Sequence, residues 1–261
     1  MCIKLIPWGA MSIIGLRAVL AAVVFIIYRR SAKARLSPGN ILAALCLSGT
    51  TILYVFANKL TTAAAAILLQ YTAPIFIILI HLIFYRKKPK AGEAAAVGVT
   101  LAGMLLFFAD SLGSGGVLGD ILAIASGLCF AGVFVCNSRP DTDPDQSLYL
   151  GFLINAAVGL PFAFSEVTAN PAAWGVVIFL GVVQVGLAYL FFSIGIKKTP
   201  ALLACLITAM EPVLNPLWVA LFIGERPGAY AAAGGVLIIV TVVAYNIWTE
   251  RHAAEERLQA K

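Results

Sequence analysis

Displaced by 138 positions, the chain matches itself: Thr61–Pro89 (TTAAAAILLQYTAPIFIILIHLIFYRKKP) aligns without a gap on Thr199–Pro227 (TPALLACLITAMEPVLNPLWVALFIGERP), with eight identities in twenty-nine positions. These are Thr61/Thr199, Ala63/Ala201, Ala66/Ala204, Leu68/Leu206, Pro74/Pro212, Leu79/Leu217, Phe84/Phe222 and Pro89/Pro227. Each copy is a long apolar stretch with a proline near its middle. A duplicated, proline-broken hydrophobic segment restricts the chain to folds built from two related halves, each with a discontinuous helix at matching depth.

The solvent of those helices follows from composition. Apolar residues make up 61% of the chain, charged residues 11%, and the mean hydropathy is +0.97. A soluble domain carries about a quarter charged residues, so there is too little polar surface here to cover a water-facing globule. In lipid every backbone polar group must be satisfied internally, which selects helices. Apolar runs bounded by charges, Pro or Gly predict nine spans, at 8–28, 40–58, 62–85, 93–109, 117–137, 147–165, 172–195, 199–223 and 230–248. The connecting loops are too short for a soluble domain. Cys2, Cys46, Cys129, Cys136 and Cys205 lie mostly in apolar runs without paired spacing, which reads as small apolar filler rather than a metal site or disulfide framework. No cofactor is expected.

Lys and Arg divide 14 to 3 between alternate loops, with Arg17 alone inside a span. The richer side holds Arg29, Arg30, Lys33, Arg35, Arg86, Lys87, Lys88, Lys90, Arg139, Lys197, Lys198, Arg251, Arg257 and Lys261; the poorer holds Lys4, Lys59 and Arg226. The positive-inside rule then puts the C-terminus of this multi-pass chain in the cytoplasm. The net charge of +6 is a topology signal with anionic lipid headgroups as its partners, and nucleic acid is not needed to explain it. Shifted by 138, the last four spans fall on the first four, whereas the span at 117–137 would fall before Met1. The expectation is five spans per half with the first helix of the first copy missing, through a misassigned start codon or a truncation. An odd number of spans per half makes the halves an inverted repeat. The predicted fold is an all-α polytopic membrane protein with nine spans (4 + 5), divided into 1–112, 113–250 and a cytoplasmic tail at 251–261.

Several short motifs, in order, resemble a known family. Gly119-Asp120-Ile121-Leu122-Ala123 with Ser126-Gly127 and Phe130-Ala131 resembles a repeat-opening helix. Tyr189-Leu190-Phe191-Phe192 followed by Thr199-Pro200-Ala201 resembles the junction of the eighth and ninth helices, and Glu211-Pro212-Val213, Gly224-Glu225-Arg226 and Gly234-Gly235 resemble the second-repeat signature. The family is the drug/metabolite transporter superfamily, specifically EamA-type permeases with two five-helix repeats. The chain departs from its pattern at Tyr85-Arg86-Lys87-Lys88, where an acidic counterpart of Glu225 would stand. The resemblance implies a secondary transporter, in the exporting direction, of small metabolites or drugs by alternating access in a bacterial-type plasma (inner) membrane, and it leaves the substrate open.

Ionisable groups in the bilayer centre cost at least about 2.5–3.5 kcal/mol on insertion scales, so each needs a reason. Glu211 lies mid-span, with Thr208 and Asn215 at i−3 and i+4 and Trp218 continuing the stripe. Pro212 cannot donate to the carbonyl of Thr208, nor Pro74 to that of Gln70, so both copies place a freed carbonyl and a polar side chain at one depth. A substrate site lined by Gln70, Thr208, Glu211 and Asn215 follows, the alternative being polar groups that bond across packed helices. Arg17 sits mid-span and its 138-shifted partner is Asn155. Arg17 is expected to pair with Glu211 or to bind an anionic substrate group such as a carboxylate, against snorkelling or a structural pair. Glu211 is also a candidate for coupling to protons, since its charge is costly at that depth. Gln184, Tyr54, Asn58, Tyr71 and Tyr189 are further candidates, aromatics in spans more often being packing or interface anchors. The small-residue runs Ala94-Gly98-Ala102 and Ala231-Gly235 have the spacing for close helix contact within the chain or in a homodimer.

An intramembrane enzyme would need a histidine, metal or nucleophile set, and the only histidines are His81 and His252. No GxxxxGK[ST] loop is present, so this chain alone does not drive transport with ATP. A channel, a non-transporting scaffold or an inactive truncated permease are the remaining alternatives to a carrier.

Overall fold

The computed structural model describes residues 7–109, 116–214 and 228–259, the last eight of these by backbone alone. Among them every regular element is helical: α1 Ala10–Arg29, α2 Pro38–Leu60, α3 Ala63–Gln70, α4 Ala73–Phe84, α5 Ala91–Phe107, α6 Val117–Asn137, α7 Pro144–Glu166, α8 Pro171–Phe179, a π-helical segment Leu180–Leu187, α9 Ala188–Ile196, α10 Ala201–Thr208 and α11 Ala229–Gln259. Seven helices or helix runs are long and apolar enough to cross a membrane, and Ala91–Phe107 and Ala201–Leu214 are shorter apolar helices. The chain is an all-α polytopic membrane protein. Helix α11 runs well past the predicted end of its span, to Gln259.

Local sequence sets the helix starts. Asp143 and Asn170 cap α7 and α8 by accepting from backbone N–H groups of the first turn, each followed by proline at the first helical position. Thr62 caps α3 by accepting from the Ala65 N–H. The predicted span at 62–85 is broken rather than kinked: α3 stops at Gln70, and α4 begins at Ala73 with Pro74 in its first turn. Pro74 has no N–H to continue the α3 ladder, while its fixed φ suits a helix start.

The chain forms two compact units, 1–56 with 132–199 and 57–131 with 200–261. Neither is a sequence half. Shifted by 138, the boundary after Phe56 falls at 194, five residues from the boundary after Thr199, so each unit takes corresponding pieces of both copies.

In the first unit α1 packs against α7, its own repeat counterpart, and the two run antiparallel. Gly9 N–H and the Ser12 hydroxyl donate to Glu166 at one end; Phe25 meets Phe152 edge-on at 5.5 Å further along; the Arg29 guanidinium lies 4.9 Å from the Tyr149 ring centre at the other. The helices cross on glycines: a Cβ on Gly15 would stand 2.5 Å from the Gly159 carbonyl carbon, and one on Gly159 2.5 Å from the Gly15 nitrogen. The run α8–π–α9 lies alongside α1, with Gly181 against Leu20 and Gly186 against Val24.

The second unit repeats the device. Helix α5 and its counterpart α11 are antiparallel, with Gly92 against Trp248, Gly103 against Ile238, and Gly234 against the Gly103 carbonyl and Phe107. Counterparts that pack antiparallel cross a membrane in opposite senses, which is the geometry of an inverted repeat. The run Ala94-Gly98-Ala102 does not make this contact: all three residues are exposed, and a Cβ on Gly98 would meet nothing within 4 Å.

Candidate functional site

Arg17 and Asn155, predicted as partners by the 138 offset, both lie near the α1–α7 crossing. With Gly15 against Gly159, Arg17 is level with Ala157, about 3 Å along the axis from Asn155 at 1.5 Å rise per residue. Asn155 is 3% exposed. Its Nδ2 donates to Thr51 Oγ1 at 3.5 Å, and the Thr51 hydroxyl spends its proton on the Leu47 carbonyl at 3.0 Å. That fixes the amide orientation and leaves Asn155 Oδ1 buried with no partner among the described residues, as is the Nε of Arg17. Tyr189 is within electrostatic range of Arg17, and its ring packs edge-on against Phe152 at 5.5 Å and Phe192 at 6.1 Å. An unmet donor on a guanidinium and an unmet acceptor on an amide therefore share one depth, beside the apolar cluster of Ala18, Ala21, Phe25, Phe152 and Ala156.

The second unit assembles Gln70, Tyr71 and Thr208. Gln70 Nε2 donates to Ser126 Oγ at 2.8 Å, and a Cβ on Gly127 would stand 2.8 Å from the Gln70 carbonyl oxygen, so that carbonyl meets α6 where no side chain intervenes. The Thr208 carbonyl, which Pro212 frees, accepts from the Tyr71 hydroxyl at 2.9 Å. Tyr71 is buried and packs edge-on against Phe130 at 6.3 Å. The Thr208 hydroxyl donates back to the Cys205 carbonyl at 2.7 Å.

Of the expected stripe, Thr208 and Glu211 do not share one continuous helix. Helix α10 ends at Thr208, Ala209 turns, and helix resumes over 210–214, because Pro212 removes the ladder bond to Thr208. Glu211 is exposed, and so is Gln184, which sits within the π-helical segment. Tyr54 and Asn58 are half-buried on α2. Asn215 and Trp218 lie outside the described residues, as do Glu225 and Arg226. Arg17 belongs to the first unit and Glu211 to the second. Among the described residues no group of three or more His, Cys, Asp or Glu could hold a metal ion.

Three features escaped the sequence reading. The π-helical turn has no signal in an apolar run, although π-turns gather at functional sites. Glu166 reads as a loop residue and instead caps the start of α1 across 154 and 157 positions. Where α1 ends and α7 begins, a cleft of about 740 Å³ opens between Arg29, Lys33 and Arg35 on one side and Asp143 and Asp145 on the other.

The chain matches the EamA-like transporter family over residues 2–109 and again over 117–247. It is 28% identical over 191 residues to YwfM, an uncharacterized transporter of Bacillus subtilis, the alignment covering 70% of this chain and 64% of that one. It is 25% identical over 199 residues to the pseudopaline exporter CntI of Pseudomonas aeruginosa, covering 75% and 70%. An uncharacterized transporter of Archaeoglobus fulgidus is 26% identical over 196 residues, covering 74% and 71%. A solved crystal structure with 20% sequence identity superposes with a TM-score of 0.78 over 93% of this chain and 89% of its own, which shows the shared fold. Two consecutive matches to one family, on helices that pack as antiparallel counterparts, place this chain in the EamA-like transporter family.

Proposed function

We propose that the chain is a secondary carrier that exports small metabolites by alternating access, and that the α1–α7 crossing supplies the part of its substrate site that binds an anionic group. The observation that carries this reading is the pair of buried atoms Arg17 Nε and Asn155 Oδ1, each without a partner among the described residues. Leaving such groups unmet costs about 1–3 kcal/mol each, more for a charge. A carboxylate on the guanidinium and an N–H on the amide oxygen would remove that cost. In a family of transporters, a transient ligand is the natural supplier. Export is the direction named for CntI.

The Pro-broken helices support the alternating-access part, because a helix that ends on a freed carbonyl in each copy gives two equivalent points of discontinuity. Glu211, exposed and acidic beside one such break, is the candidate proton-coupling group. The distribution of Lys and Arg supports an inner-membrane topology with the C-terminus cytoplasmic, and the repeat supports halves at 1–112 and 113–250.

Purified chain in liposomes, challenged with a panel of carboxylated and non-carboxylated metabolites, tests the proposal. Saturable counterflow of a carboxylated compound, abolished in Arg17→Gln at normal abundance, is the expected result. Flux that never saturates would indicate a channel, and absence of flux for the whole panel a scaffold. A pH gradient that leaves the rate unchanged removes Glu211 from coupling.

A further inference from the structure

We propose that Cys46 and Cys136 form a dithiol site for a trivalent organoarsenical, R–As(OH)2, which bridges the two sulfurs and ties α2 to α6. The sequence reads both cysteines as apolar filler, and the fold brings them together. Cys46 lies on α2 and Cys136 on α6, both within the first unit, and their side chains hydrogen-bond to each other. Neither is in a disulfide. Gly132 makes the meeting possible: a Cβ there would stand 2.5 Å from the Cys46 sulfur and 3.3 Å from the Cys46 Cβ. Cys136 follows one turn later on the same face of α6, and helical side chains lean back toward the preceding turn.

The surroundings favour a ligand that adds no charge. Cys46 packs at the edge of an apolar cluster that includes Leu47 and Val133. The charges that act on Cys136, Arg139 and Asp141, have opposite sign and are joined to each other by two bonds of 3.0 Å. An unpaired charge is costly in such a place. Two thiolates around monovalent copper would leave one negative charge, and around zinc they would supply only half of the usual four ligands. The arsenical leaves no charge. Two As–S bonds form, two As–O bonds break, and each thiol proton departs with a hydroxyl as water. Arsenic stays trivalent, so neither oxidant nor reductant is needed.

Entry is by way of Cys46, which is half-buried beside Leu42 and Leu45, 48% and 54% exposed. These offer apolar surface to the organic group R. Cys136, 7% exposed, then closes the ring. Register favours a bridging atom over a direct bond between the sulfurs. The Cys46 Cβ stands opposite residue 132, whose Cβ position is about 5–6 Å from that of Cys136, whereas a disulfide holds its Cβ atoms about 3.5–4.5 Å apart.

The test is intact mass spectrometry of the full-length chain in detergent micelles after treatment with phenylarsine oxide. One phenylarsenic group per chain should survive added glutathione, a monothiol, and leave with dithiothreitol, a dithiol. Because the second As–S bond closes intramolecularly, Cys46→Ser and Cys136→Ser should each shorten retention about a hundredfold. Cys129→Ser and Cys205→Ser should leave it unchanged. Gly132→Ala keeps both thiols but displaces the Cys46 sulfur, so it should also shorten retention in protein whose size-exclusion profile is normal. Full retention in Cys46→Ser, or release of the group from the unaltered chain by glutathione, overturns the proposal. Failure to retain the arsenical, together with loss of both thiols to a hydroperoxide, overturns it in favour of a disulfide pair.

Discussion

Tyr71 shows how a broken membrane helix stays satisfied. Pro212 frees the Thr208 carbonyl, an unmet acceptor costs about 1–3 kcal/mol when buried, and the Tyr71 hydroxyl covers it at 2.9 Å. The reciprocal contact cannot exist, since the 138-shifted counterpart of Tyr71 is Ala209, which has no hydroxyl. Tyr71→Phe should therefore lower the thermal unfolding midpoint in detergent by the equivalent of about 1–3 kcal/mol. An unchanged midpoint would mean that another group serves that carbonyl. Arg17 makes the complementary case. If its guanidinium completes a substrate site, Arg17→Lys should keep abundance but lose at least about tenfold in transport, because an ammonium lacks the planar fork. Full activity in Arg17→Lys would reduce its role to charge alone. The freed carbonyls were legible in the sequence because proline dictates them. Which donor answers them was not, since that depends on which helices meet.

At the scale of helices, glycines decide where counterparts can cross. A Cβ on Gly159 would sit 2.5 Å from the Gly15 backbone nitrogen, with no flexible side chain able to yield, whereas Gly98 and Gly175 face open space. Gly159→Val should therefore reduce membrane abundance severely, and Gly98→Val should leave it near normal, as read by fluorescence size-exclusion of tagged protein. Similar losses in both variants would show that β-branching in a helix, and not the crossing, is responsible. The sequence offered Ala94-Gly98-Ala102 and Ala231-Gly235 on spacing alone, for contact within the chain or in a homodimer. Within the chain, the α5 contact uses Gly92 and Gly103, which share no four-residue spacing, while a Cβ on Gly235 would stand 2.9 Å from Val213. Spacing gives a face of a helix, but only packing selects which face meets its neighbour. The π-helical turn at Leu180–Leu187 was invisible for the same reason: Gly181 and Gly186 let it lie against Leu20 and Val24, and nothing in the apolar run announces that fit.

For the whole molecule, the repeat was legible and its consequence was not. The 138 offset pairs α1 with α7 and α5 with α11, and each pair packs together. Each compact unit draws corresponding pieces from both copies. The apolar contacts that order α1 are made with α7, and those that order α5 with α11, so neither copy alone can bury its own crossing face. A chain cut between residues 112 and 113 should then behave in a specific way. Each fragment expressed singly should be degraded or aggregated, and co-expression should restore a stable complex that migrates with the intact protein, because the interactions that close each unit are between fragments. A fragment 113–261 that is stable and monomeric alone, with α7 protected from hydrogen exchange, would show that α7 does not depend on α1 and would overturn the interleaved account of stability.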